Sequence, residues 1–302
     1  MEISVIIPVY NKEAFLNRCF GSLFAQDFGS FEVVAVDDGS TDGSGRLCDE
    51  WAAREPRLRV YHVTNGGVTA ARRIGLEQSQ GRYVMFADAD DQLTDGALAT
   101  MHHAISDSGA DEVIGSYIDQ YDRCHDSGLR GFVEPELLIR RLLGLKAGFC
   151  VLWGIIFRRE MLDGCLTAPR EIVEREDSLM QIKCLMKQPR VLFIAEAAYL
   201  HYEDMPNTRR ETLDWIRIYD DELRQTLQPQ WERYRTAFVG HQLKVYEKFI
   251  DHRQFHVFSE YYRPLRQQLD STIPLMDRIA IMLPPRIAYL LIHTYKKLRK
   301  HP

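Results

Sequence analysis

Residues 3–9, Ile-Ser-Val-Ile-Ile-Pro-Val, form a short and almost wholly apolar run. That pattern predicts a strand buried on both faces, as in a parallel sheet. Polar Tyr10-Asn11-Lys12-Glu13 follows. Leu16, Cys19, Phe20, Leu23 and Phe24 then recur at the spacing of one helical stripe. A second apolar run, Phe31 to Val36, stops at Asp37–Ser44, a segment of turn formers and helix N-cap residues. A helix through Leu47, Cys48 and Trp51 comes next, then a strand from Leu58 to Val63 and the turn Thr64-Asn65-Gly66-Gly67. A helix over Val68–Gln78 leads to a fourth strand, Tyr83–Ala87, which ends in Asp88-Ala89-Asp90-Asp91.

This β-α-β-α-β-α-β alternation predicts an α/β fold, a mostly parallel sheet with helices on both faces. Ligands of such sheets bind beyond the carboxyl ends of the strands. All four polar clusters, at residues 10–13, 37–44, 65–67 and 88–91, fall there. The second half is less regular. It predicts helices over 94–108, 135–143 and 173–186, strands over 111–117, 150–157 and 191–202, and a loop over 119–131. From about Thr212 the pattern is helical and rich in aromatics, with no internal repeat.

Composition adds bounds. With 45% hydrophobic and 27% charged residues the chain can build an ordinary core. A net charge of −5 argues against a generally basic nucleic-acid binder. The charge is uneven: Ser271–Pro302 holds six Lys/Arg against one Asp. The six cysteines form no CxxC pair and are expected as buried free thiols. The start lacks a basic leader and no run of 18 apolar residues occurs, so a cytoplasmic location is expected.

Asp88 and Asp90 stand two residues apart after a buried strand. Such a pair can share one hard cation, and Mg²⁺ or Mn²⁺ bound by few carboxylates keeps positions open for water and phosphate oxygens. An acidic helix start is the structural alternative. A dehalogenase-type phosphatase also carries DxD after a strand, but a Thr normally follows where this chain has Asp91-Gln92. A dinucleotide-binding GxGxxG after the first strand and a Walker A loop are both missing.

Four ordered segments resemble the family 2 glycosyltransferases with the GT-A fold: Ile3–Glu13, Val36–Asp42, Asn65–Arg72 and Phe86–Asp91. The resemblance is strong over residues 1–115 and moderate over 130–210. It implies a nucleotide-sugar donor, usually a UDP-sugar, and inversion at the anomeric carbon. Pro8 and Tyr10 match positions flanking the base, Glu13 the acidic residue after the first strand, and Asp38 the carboxylate that reads the uracil edge. Asn65, Gly67 and Arg72 match the loop and helix over the ribose and phosphates. Asp88 and Asp90 match the DxD that holds ribose and the metal-bound diphosphate, with Mn²⁺ or Mg²⁺ as cofactor. The family's catalytic base is the Asp of a Glu-Asp pair opening a later helix, which Glu176-Asp177 resembles.

One segment departs from the pattern. After the last core strand Glu203 stands where a basic residue is usual, so Arg209 or Arg210 is expected to supply the charge near the diphosphate. His201 is weighed as a metal ligand against a packed histidine. The expected organisation is a GT-A domain over 1–210, with a nucleotide-sugar half (1–115) and an acceptor half (116–210). A helical C-terminal extension follows over 211–302. In its tail Ile287, Leu290, Leu291, Tyr295 and Leu298 share a helical stripe with basic residues elsewhere, so peripheral membrane contact through 279–302, at the inner face of the cell membrane, is expected. The expected partners are the UDP-sugar, a glycan or lipid-linked acceptor in surface polysaccharide synthesis, and a second copy docked through the aromatic-rich helices. The competing reading is a non-catalytic nucleotide-sugar-binding or scaffolding relative.

Overall fold

The computed structural model of the chain describes residues 1–145, 148–172, 174–203 and 212–300. The chain divides into two compact units, Met1–Leu138 with Gly148–Glu211, and Ile139–Ala147 with Thr212–Pro302.

The sheet belongs to the first unit. In chain order its elements are β1 (Ile3–Val9), α1 (Glu13–Phe24), β2 (Phe31–Asp37), α2 (Ser44–Ala52), β3 (Leu58–His62), α3 (Val68–Gln78), β4 (Tyr83–Phe86), β5 (Gln92–Leu93), α4 (Ala97–Ser108), β6 (Glu112–Asp119), β7 (Cys124–His125) and β8 (Gly131–Val133). After α5 (Pro135–Leu143) come β9 (Ile155–Arg158), α6 (Glu176–Leu185) and β10 (Val191–His201). The strand order is β3-β2-β1-β4-β9-β6-β10-β5, with β7 on β6 and β8 on β10. β1 to β4 run parallel, as do β6 and β10, while β9 lies antiparallel between β4 and β6. All residues of β2 and β4 are buried, which is what continuous apolar runs between two helical layers require. Helix α3 rides close on the sheet because Gly75 carries no side chain: a Cβ there would stand 2.3 Å from Ile6 Cγ2.

Three expectations are corrected. The strand expected at 150–157 is only Ile155–Arg158, because the apolar residues before it are buried in an irregular segment. The loop expected at 119–131 contains β7 and runs into β8. Four cysteines are buried free thiols, but Cys124 and Cys150 are exposed.

Glu112, at the start of β6, is fully buried and accepts from Gln181 Nε2 on α6. Burial pushes its carboxyl up to about 8, against the pull of that hydrogen bond. Glu112 Oε2 and Gln181 Oε1 otherwise lack partners, so a proton on Glu112 turns one of two unmatched acceptors into a donor. The folded chain keeps this proton up to about pH 8, while an unfolded chain releases it near the ordinary 4.5. The contribution is therefore fully present below the unfolded value and is lost as pH rises through that window, by up to ~1.4 kcal/mol per unit. Glu112→Gln should flatten this dependence and be the more stable protein at pH 9. Urea midpoints at pH 5 and 9 check it, and equal slopes for both proteins would sink it.

The second unit is helical: α7 (Leu213–Leu227), α8 (Trp231–Asp251), α9 (Leu275–Met282) and α10 (Pro285–Lys300), joined by the end of α5 from Ile139. Thr212 caps α7 by accepting from Trp215 N. Trp215, Tyr219, Tyr234, Tyr246 and Tyr262 are all buried. The aromatics that suggested a dimer are thus the core of this unit rather than an exposed face.

Candidate active site

The carboxyl ends of β1, β2 and β4 open into a cleft of about 750 Å³ in the first unit. Its lining includes Pro8, Tyr10, Asp38, Asn65, Gly67, Arg72, Asp88, Asp90 and Asp177. Nine of the ten residues that the resemblance matches to donor-binding or base positions therefore meet in one cavity. Glu13 does not line it. It sits in the first turn of α1, where Oε2 accepts from Gly43 N at 3.0 Å and Arg46 approaches Oε1. Its carboxylate ties two loops together.

Backbone and side chain lock these loops. Asn11 Oδ1 accepts from Thr41 N at 2.8 Å, and Ser44 Oγ accepts from Lys12 N at 2.7 Å. Asp37 faces away from the cleft, where it accepts from Ser40 N and pairs with His62. Burial works against its charge, but the hydrogen bonds from Ser40 and His62 prevail and hold its carboxyl below the ordinary range. Asp38 accepts Gly66 N and Gly67 N on its two oxygens, at 2.7 and 2.8 Å, while Asn65 Nδ2 donates to its carbonyl at 2.8 Å. Gly67 has φ +89°, a backbone that favours glycine. Asp38 thus builds the 65–67 loop, and each of its oxygens keeps a lone pair for a ligand N–H or hydroxyl.

The centre of the cleft is ionic. Arg72, on α3, is only 2% exposed, yet its guanidinium reaches two carboxylates: Nη1 donates to Asp177 Oδ1 at 2.5 Å and Nη2 to Asp88 Oδ1 at 3.2 Å. Asp177 Oδ2 accepts Leu152 N at 3.2 Å, so both its oxygens are oriented. Asp88 N donates to the buried Tyr199 hydroxyl at 2.8 Å, and Tyr199 stacks on Trp153 at 4.5 Å. Loss of water around Asp88 pushes its carboxyl up to about 6; Arg72 opposes this, and Asp177, Asp91 and Asp90 add to it. Glu176 is pushed up to about 7 by burial and by Asp177. For Arg72 burial opposes the charge, but Asp177, Asp88 and Glu176 outweigh it and the proton is held more firmly.

Two cations escaped the sequence reading. Lys12 Nζ pairs with the Asp90 carboxylate, and Arg170 donates to Asn65 O at 3.1 Å and to Asn65 Oδ1 at 2.6 Å. Lys12 lay inside a quoted motif, whereas no local pattern marks Arg170. His201 pairs through Nδ1 with buried Asp91 at 3.1 Å and stacks on Trp153 at 5.0 Å. The Asp91 hydrogen bond raises its pKa. Arg209 and Arg210 lie outside the described residues.

The donor set fits a divalent cation. Asp88 and Asp90 offer hard oxygen ligands that leave positions for water and phosphate, and the Lys12 ammonium on Asp90 shows that this carboxylate is placed to receive positive charge. Among the described residues no group of three or more His, Cys, Asp or Glu is placed to hold a metal ion, so an ion here would rest on these two carboxylates and on the ligand.

A mostly parallel sheet whose switch-point cleft gathers an Asp-x-Asp and a helix-opening Glu-Asp defines a GT-A transferase. The chain belongs to glycosyl transferase family 2, whose sequence pattern matches residues 4–166. It is 29% identical over 253 residues to the uncharacterised glycosyltransferase EpsJ of Bacillus subtilis, covering 79% of this chain and 70% of EpsJ. It is 33% identical over 152 residues to the glycosyltransferase GlyG of Streptococcus pneumoniae, covering 48% of this chain and 50% of GlyG. In fold it is similar to residues 1–349 of Staphylococcus aureus TarS, solved with UDP-GlcNAc, with a TM-score of 0.69 and 19% identity over 98% of this chain and 92% of that one. A Pyrobaculum calidifontis mannosyltransferase solved with GDP-Man and Mn²⁺ superposes with a TM-score of 0.52 and 20% identity over 78% of this chain and 68% of that one.

Proposed function

We propose that this chain is an inverting glycosyltransferase that moves a sugar from a nucleotide-sugar, of the UDP class, to a hydroxyl of a glycan or lipid-linked acceptor in surface-polymer synthesis. The observation that carries the reading is the convergence of Asp38, Asp88, Asp90 and Asp177 on one cleft. Tyr10, nearly half exposed at the rim, presents a ring to a base, and Asp38 and Asn65 offer hydrogen-bonding groups beside it. Asp88 and Asp90 would hold Mn²⁺ or Mg²⁺ with the diphosphate. A bound divalent ion neutralises charge on the departing nucleoside diphosphate. Asp177 takes the acceptor proton as its oxygen attacks the anomeric carbon, with Arg72 and Leu152 N fixing the carboxylate's direction. The UDP-GlcNAc held by TarS, and relatives named as a minor teichoic acid biosynthesis protein and a poly(ribitol-phosphate) N-acetylglucosaminyltransferase, support the donor and polymer classes.

Calorimetric titration of UDP and GDP, with Mn²⁺ or with EDTA, tests the donor half. UDP should bind only with Mn²⁺, and Asp90→Ala should weaken it at least ~10-fold. Absence of binding of either nucleotide in both conditions would move the weight to a scaffolding relative.

A further inference from the structure

Helices α9 and α10 of the second unit expose apolar side chains that their own packing does not use. Leu275 is 62% exposed, Ile279 36%, Met282 55%, Ile287 51% and Leu290 63%. These are five of the eleven exposed large hydrophobic residues among the described residues, gathered in 16 positions. Leu275, Ile279 and Met282 share one face of α9 at i, i+4 and i+7. The opposite sides are spent inward, through Ala280 and Ile281 on α9 and Ala288 and Ile292 on α10. The corner between the helices is held from within: Arg266 donates to the carbonyls of Ile281 and Met282, each at 2.9 Å, and its guanidinium lies 4.6 Å from the Phe258 ring. The exposed residues are thus displayed on a fixed scaffold. They differ from the stripe expected from the tail alone, since Ala288 and Ile292 form the buried seam and α9 supplies most of the apolar surface.

Large apolar side chains gathered exposed on two successive helices mark a docking surface. Charge selects the occupant. From Ser271 to Pro302 the sequence carries Arg278, Arg286, Lys296, Lys297, Arg299 and Lys300 against Asp277 alone. A two-fold contact with a second copy would set like charges against each other. Anionic headgroups would instead pair with them, each basic side chain near such a surface adding roughly five-fold to binding. No helix among the described residues is long and apolar enough to cross a membrane. We propose that α9 and α10 together form an interfacial surface that seats this chain on an anionic lipid bilayer, with Leu275, Met282 and Leu290 entering the acyl boundary.

Sedimentation of the full chain with vesicles tests this independently of donor chemistry. Removing residues 279–302 would be uninformative, because buried Ala280, Ile281, Ala288 and Ile292 go with them. Leu275→Ser/Met282→Ser/Leu290→Ser changes only exposed positions and should keep the wild-type melting temperature. Wild type should sediment with phosphatidylglycerol-containing vesicles and far less with phosphatidylcholine alone. The triple variant should bind the former at least ~10-fold more weakly, and Arg286→Gln/Lys296→Gln/Lys297→Gln should lose the preference between them. Overturning results are wild type left in the supernatant with anionic vesicles, a triple variant that binds as wild type does, or a dimer in solution that the triple variant dissolves while neither protein binds lipid. UDP titration of the same samples reports on the donor reading separately.

Discussion

Asp177→Asn should lower turnover ~10³-fold, at the centre of the range for loss of a general base, and leave nucleotide affinity within about three-fold. The carboxylate stands between two donors, Arg72 Nη1 and Leu152 N. An asparagine keeps the size but brings one oxygen and one NH₂. Whichever way it turns, one donor meets another donor, so the side chain loses one anchor as well as its basicity. UDP release from the nucleotide-sugar that binds best, with a calorimetric check on affinity, measures both halves. If the variant retains a tenth of wild-type turnover, Asp177 is not the base. Glu176, whose carboxyl is pushed up to about 7, then becomes the residue to replace.

The donor half of the fold was legible because its signals are local. Continuous apolar runs made β1, β2 and β4 plain, and helical stripes placed α1 and α3. The loops after those strands announced the cleft by residue type alone. What stayed hidden depends on distance and direction. The sequence marks β9 as a strand, but nothing in it says that β9 runs antiparallel between β4 and β6. Leu152 and Trp153 look like strand residues because they are apolar, yet beyond one isolated bridge from Trp153 to Phe86 they are buried in an irregular segment that places the Leu152 N–H on Asp177. Lys12 meets Asp90 across 78 positions and Arg170 meets Asn65 across 105, and no periodicity reports such pairs. Glu13 shows the opposite failure. Its motif position pointed to the cleft, while the first turn of α1 aims its carboxylate at the Gly43 amide.

Arg72→Met should cost ~3–5 kcal/mol of stability at neutral pH, the range for breaking a buried ion pair by removing one partner. The guanidinium is almost completely enclosed and bridges Asp88 to Asp177. Methionine fills much of the volume but leaves two carboxylates facing each other with no cation between them. The stored repulsion is relieved when one of them takes a proton. Asp88 is the one poised to do so, since its carboxyl is already pushed up to about 6 with Arg72 present and loses an opposing influence without it. A carboxyl raised in the folded state above its unfolded 3.8 contributes stability that is complete below that value and lost as pH rises through the folded one. The variant's deficit should therefore shrink below pH 6 and be largest above pH 7. Arg72→Lys should recover only part of it, because an ammonium cannot span both carboxylates in the planar fork that Arg72 uses. Urea denaturation of the three proteins from pH 5 to 8 decides the matter. A deficit independent of pH would mean that Arg72 acts through packing, including its approach to the Phe86 ring at 5.9 Å, rather than as the counter-ion that lets Asp88 and Asp177 stand together.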